Sequence, residues 1–366
     1  MLVSTPLVKT TSVDRLSKLW ANRYVPDLST LSSQQGHLVV SDLLAAASRE
    51  GRKQAVAKLL RLVEIHCKCA GIQTSVLFSY VPNIVNLIES QGIARSGGHV
   101  YEQVLLIYQE QLPPSSLLET LSQVEAINFS SDTFQSLVKL GLELPVVEQL
   151  ATVLEPTLQQ FQSQHLSSVD RRTLGFMSTQ FHLSSKFLLD RLTLPEQLLL
   201  SPYFKFVEEQ VCIPWQRVCT AATQYSDDSA VLALVEQLLP ASREIASTVY
   251  KRAIRLFPNH CSRRGKLTEP GVKDSSLRDI EMFQAYLWLC VLEQNMAAIE
   301  QELHPLSAMV YPVVGVPWPM VEQMLKLLVH EILERVSPEH YPLLLPYTSA
   351  MQQLFCNSHS AKLFHT

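Results

Sequence analysis

Proline governs what this chain can fold into. Twenty prolines are spread over 366 residues, while glycine is scarce at eleven, about half its average share. Between the prolines, apolar residues recur at spacings of three and four, the period of an amphipathic helix. No stretch alternates apolar and polar residues for long, and no hairpin dipeptide separates two apolar runs. Leu is the commonest residue, and together with Gln, Glu and Ala, all good helix formers, it makes up over a third of the chain. The expected fold is all-α: a compact array of many short, proline-punctuated helices without significant β-sheet.

Local signals place the elements. Ser12 can cap a helix over Val13–Tyr24, with Leu16, Leu19 and Trp20 on one face. Gln54–Cys69 carries an apolar stripe of Val56, Leu59, Leu60, Val63 and Cys67. Thr74–Ser90 follows, interrupted at Pro82. Gly92–Gly98, the run richest in glycine, reads as a turn before a helix over Val100–Gln111. Ser115–Ala126, Thr133–Leu140, Val146–Gln164 and Asp170–Leu192 continue the pattern. Thr193, Pro195 and Glu196 form a capping box with proline in the first turn. Ser201-Pro202 reads as another helix start, and Pro214 as a break. Ala230–Leu239 and Ser242–Phe257 are cleanly amphipathic. Phe257–Ser275 is the longest irregular segment, and Ser276–Leu303 the longest unbroken helix. Leu306–Pro319 is apolar and proline-rich, Met320–Val336 is helical, and Pro346 opens the last helix. A division into residues 1–165 and 166–366 is the expected domain organisation, with a single domain as the alternative.

The charge balance limits the function classes. A formal net charge of −4 argues against nucleic-acid binding, which favours basic domains. Only 17% of residues are charged, against a typical ~25%, so apolar surface is left for protein partners. Seven scattered cysteines suit reduced, buried thiols better than a disulfide framework. Met1–Val13 lacks the basic and apolar regions of a secretory signal. Pro305–Val321, the least charged long stretch, holds four prolines and makes a poor spanning helix. A cytoplasmic location is expected.

Five clusters carry chemistry-bearing residues. His66, Cys67 and Cys69 form the densest soft-ligand group; buried thiols explain it, and a metal at His66 and Cys69 is the alternative. Cys212 and Cys219 lie two helical turns apart and suit core packing or a haem, bilin or metal contact. His330, Glu331 and Glu334 miss the zincin pattern, because Glu334 stands where a second histidine is required. Lys251–Lys266 contains six positive charges and no acid. The helix C-terminus accounts for Arg252 and Arg255. Arg255, His260, Arg263, Arg264 and Lys266 then make a candidate docking loop for an anion or an acidic partner, with a solvated loop as the plain reading. Val310–Met320 is a buried connector or, through Tyr311 and Trp318, a partner surface. The nucleotide, phosphate-loop, nucleophile-elbow and zincin motifs are all missing from the sequence.

Three segments, Leu200–Cys219, Leu256–Gly265 and Phe283–Gln294, resemble an uncharacterised all-helical family of cyanobacterial proteins. The resemblance implies a cytoplasmic or thylakoid-associated protein with a role near photosynthesis, and assigns no catalytic or binding residue. The expected function is therefore a non-enzymatic helical interaction protein of regulatory, adaptor or assembly type. A helical haem-, bilin- or metal-binding protein is one alternative, and an enzyme on an all-α fold is another.

Overall fold

The computed structural model describes residue 16 and residues 40–79, 81, 85–111, 147–165 and 173–362. The helices expected over Ser115–Ala126 and Thr133–Leu140 lie outside the described residues, as does all but Leu16 of Val13–Tyr24. The described chain is helical apart from one two-stranded ribbon, as the periodicity requires. In order come α1 (Val40–Ala47), α2 (Arg49–Leu60), α3 (Val63–Leu77), α4 (Leu87–Glu110), α5 (Val147–His165), α6 (Thr173–Leu189) and α7 (Leu194–Cys212). Then follow α8 (Trp215–Ala222), α9 (Ala230–Leu238), α10 (Ser242–Leu256), β1 (Cys261–Ser262), β2 (Gly265–Lys266) and α11 (Pro270–Glu293). A π-helix over Ile299–Leu303 leads into α12 (His304–Val314), α13 (Trp318–Leu333) and α14 (Tyr341–Lys362).

Proline acts less uniformly than the sequence suggests. Pro214 caps α8, Pro270 opens α11, and Pro317 stands at the N-cap of α13, positions that need no backbone N–H. Pro202 and Pro346, expected as helix starts, instead lie inside α7 and α14. Around Pro202 the buried Leu198, Leu199, Leu200, Tyr203 and Phe204 hold the helix together through packing. That packing outweighs the ~3 kcal/mol helix penalty of proline.

Two compact units make up the chain. One comprises Met1–Asn22, Asp170–Gly175 and Cys212–Thr366; the other comprises Arg23–Val169 and Phe176–Val211. The latter takes in a segment beyond the 165/166 boundary expected from the sequence.

In the N-terminal unit, α3 and α4 run antiparallel and close together. Gly92–Gly98 forms no turn; it lies within the 24-residue α4. A Cβ at Gly71 would meet Ala94 and Ser90 at 3.5 Å, and one at Gly98 would meet Val63 at 3.6 Å. Small residues at these positions let two backbones approach. Tyr101, fully buried, anchors the core. Its ring stacks on Phe181 and meets Phe204 edge-on, and its hydroxyl donates to the Phe181 carbonyl at 2.8 Å. The capping box at α7 is present: Thr193 N–H donates to Glu196 Oε2 at 2.7 Å.

The C-terminal unit is built around α11. Phe283 and every residue from Ala285 to Leu292 are buried, which suits a helix apolar on all sides. It packs against α8, α9, α10 and α14. The helix expected over Ser276–Leu303 is broken. Gln294 turns left-handed at φ 54° and ends α11, and the chain resumes in the π-helix. The buried Glu331 ties α10 to α13, with Arg252 at 2.7 Å and Arg335 at 2.8 Å. Among the described residues, no helix is long and apolar enough to cross a membrane.

Candidate docking site

The two irregular segments singled out by sequence, Phe257–Ser275 and Leu306–Pro319, meet in the C-terminal unit. After α10 the chain turns at Phe257, where His260 N–H donates to the Phe257 carbonyl at 3.1 Å. It then forms a tight antiparallel hairpin that pairs Cys261 with Lys266 and Ser262 with Gly265. Arg263 and Arg264 occupy its tip. Ser262 Oγ accepts from Arg264 N–H at 3.2 Å and donates to the Gly265 carbonyl at 3.1 Å, which closes the turn. Gly265 has φ +119°, and a Cβ there would strike the Glu269 carboxylate. That carboxylate in turn accepts from Lys266 N–H at 3.1 Å. The hairpin was not foreseen, because its turn residues are arginines, without the Asn-Gly or Asp-Gly signature.

The seat of the hairpin is the corner between α12 and α13. Gly315, at φ +77°, caps α12 in the left-handed conformation. Arg263 N–H donates to the Val314 carbonyl at 2.9 Å. A Cβ on Gly315 would lie 3.4 Å from Arg263 N, so glycine keeps the seat open. Beneath the hairpin Leu267, Val272 and Met320 are buried together, with Ile254, Phe257, Val316 and Met324 packed around them. The Tyr250 hydroxyl donates to the Leu267 carbonyl.

The sequence-selected cations divide on this frame. Arg252, assigned to the helix dipole by sequence, reaches Glu331 instead. Arg255, Arg263, Arg264 and Lys266 are exposed. Among the described residues no ion pair engages Arg255, Arg263 or Lys266. His260 is half-buried, and its Nε2 is enclosed without a hydrogen-bond partner. The hairpin therefore holds a rigid backbone that offers guanidinium and ammonium groups to solvent, suited to carboxylate or phosphate.

The proposed partner surface at Tyr311 and Trp318 needs correction. Tyr311 is buried, and enclosure holds its phenol well above the usual range. Trp318 is half-buried and fixed. Its ring stacks on Phe355 at 5.5 Å, and its indole N–H donates to the Phe355 carbonyl at 2.8 Å. His304 meets both rings edge-on. Val310–Met320 is also more helical than expected: Val310–Val314 belong to α12 and Trp318–Met320 to α13.

Among the described residues the soft-ligand candidates do not converge. His66 is buried beside Phe187, and burial followed by the Arg191 charge lowers its pKa. Cys69, three residues on, faces solvent. Burial pushes the Cys67 thiol up to about 12. Cys219 is buried, and the Cys212 side chain lies outside what is described. His330 pairs with Glu334 at 3.1 Å on the surface. Among the described residues, no group of three or more His, Cys, Asp or Glu is placed to hold a metal ion.

Residues 216–355 match the family model of phycobilisome proteins. The matched segment begins in α8, ends in α14 and contains the hairpin with its seat. The cyanobacterial resemblance thus becomes similarity to a light-harvesting family of helical proteins, over 140 of the 366 residues. No curated protein and no solved structure matches the chain.

Proposed function

We propose that this chain is a non-enzymatic helical interaction protein of regulatory, adaptor or assembly type. It docks an acidic protein surface of a light-harvesting assembly through Arg255, Arg263, Arg264 and Lys266. The observation that carries the reading is an exposed basic hairpin, backbone-locked onto the α12–α13 corner, within the segment similar to phycobilisome proteins. That family is named for an assembly of proteins, which favours a protein partner over a free anion. Association at the thylakoid periphery follows from the same reading. Titration of isolated phycobilisomes with the purified chain tests it. Binding should weaken as salt rises, because exposed charges are screened. Arg263→Glu with Arg264→Glu should lower affinity at least tenfold. Equal binding by this variant, or no binding by the unaltered chain at low salt, overturns the reading.

A second reading is that the same hairpin carries a bilin. In the matched segment Cys219 and Cys290 are buried, and burial pushes Cys290 to about 11. Cys261 is exposed beside Arg263 and Arg264. A linear tetrapyrrole joined through a thioether needs a reachable thiol and cations for its propionates, and Cys261 with these arginines supplies both. Its conjugated rings would supply visible absorption. Chain isolated from a bilin-producing host should then be coloured and heavier by one adduct, and Cys261→Ser should abolish both. Colourless chain of unmodified mass removes this reading.

A further inference from the structure

The N-terminal unit, outside the segment similar to phycobilisome proteins, leaves one helix face uncovered. On α3, Ile65, Ile72 and Val76 are 57%, 64% and 68% exposed, and Cys69 between them is also exposed. At 100° per residue these four side chains fall within about 60° of arc. The opposite face, with Val63, His66, Cys67, Ala70 and Thr74, is buried. Leu87 and Ile88, 69% and 82% exposed, begin α4 at the end where Val76 ends the stripe. Ser75 and Ser90 meet there at 3.1 Å across the helix pair. Lys68 and Glu64, paired at 2.6 Å, form a polar margin along one side, as at the rim of an interface.

We infer that this face is a self-association surface, on which a second copy of the chain packs α3 against α3 antiparallel about a two-fold axis. The apolar spacings along the stripe are four, three and four residues, a sequence that reads the same in both directions. A two-fold contact requires a patch complementary to itself. Antiparallel pairing meets that condition by setting Ile65 against the copy's Val76 and Cys69 against its Ile72. Neither charge of the stripe's margin is brought to the centre. The six exposed apolar side chains offer roughly 600 Å² per copy, near the ~800 Å² each partner gives to a standard interface. That area sits at the upper end of the patches monomers leave bare.

Cys69 makes the geometry testable. In this pairing the two Cys69 positions lie about 4.5 Å apart along the axis, at 1.5 Å per residue, across helices packed at ~8–10 Å. The 366-residue chain with Cys261→Ser and Cys356→Ser should elute with a mass approaching twice 41.2 kDa as concentration rises, measured by light scattering. A short bismaleimide should then convert it to a covalent dimer, and Cys69→Ser should remove the cross-link. Ile72→Glu should yield a monomer with an unchanged circular-dichroism spectrum, because the side chain is exposed. A chain that stays monomeric at every concentration overturns the proposal. So does a dimer that Ile72→Glu leaves intact, or one whose Cys69 thiols never cross-link.

Discussion

Gly71, Gly97 and Gly98 sit where α3 and α4 meet each other and α6, in ordinary helical backbone. Gly265 and Gly315 sit at the hairpin and the α12–α13 corner, with φ of +119° and +77°. In the first region glycine supplies space: Cβ positions at 71, 97 and 98 fall 3.4–3.6 Å from their nearest neighbours. In the second it supplies a backbone conformation that other residues rarely adopt. The sequence marks both regions with glycine and does not separate the two uses. The first was expected to be a turn and is a helix. The second was expected to be irregular and holds a hairpin seated by backbone hydrogen bonds.

Substitutions should separate the regions, with the largest effect at the ion-pair clip between α10 and α13. Glu331→Ala would leave Arg252 and Arg335 partly buried without their shared carboxylate. A loss of about 2–3 kcal/mol is expected, read by urea denaturation; a loss below ~1 kcal/mol would mean that α10 and α13 are not clipped there. Gly265→Ala should cost about 1–3 kcal/mol, because its Cβ would strike Glu269, and it should also weaken phycobilisome binding. The sign should reverse at Gly92→Ala. The nearest atom to that Cβ is His165 Cε1 at 3.6 Å, so removing glycine from a helix interior should stabilise by about 0.5–1 kcal/mol. Matching losses at 265 and 92 would erase the distinction.

Smaller effects follow from titration and thiol access. Burial holds His66 below its usual range, so the unfolded chain takes up the proton first as pH falls. Its contribution is intact above the unfolded value of about 6.5 and is lost as pH drops through the lower folded value. His66→Gln should flatten the stability profile across that acid window. At pH 8, a thiol reagent followed by peptide mass analysis should modify Cys261 in the native chain, and Cys69 only at concentrations where the chain is monomeric. It should spare Cys67, Cys219 and Cys290, which are buried.

Much of the candidate site was legible in the sequence. The cationic run after α10 is written in adjacent residues, and the amphipathic period of Ser242–Phe257 places it just past a helix end. The division of labour was not legible. Arg252 and Glu331 are 79 positions apart, and nothing local says that they meet. Tyr311 looks like an interface residue in an apolar, proline-rich run, yet α12 turns it inward. The stripe on α3 was legible as periodicity but hidden as exposure, because Ile65, Ile72 and Val76 look like any other core residues.

By itself, the sequence determined the helical character of this protein, the period of its apolar faces, the break at Pro214 before the helix that starts at Trp215, and the basic run. These depend on neighbours within one or two helical turns, where backbone sterics and periodicity act. Tertiary structure alone decided which prolines a helix absorbs, which glycines provide space and which provide φ, and which apolar face is left bare. Each of those outcomes depends on what packs against a residue from a distant part of the chain. Local preferences of about 1–3 kcal/mol yield to burial when many side chains act together.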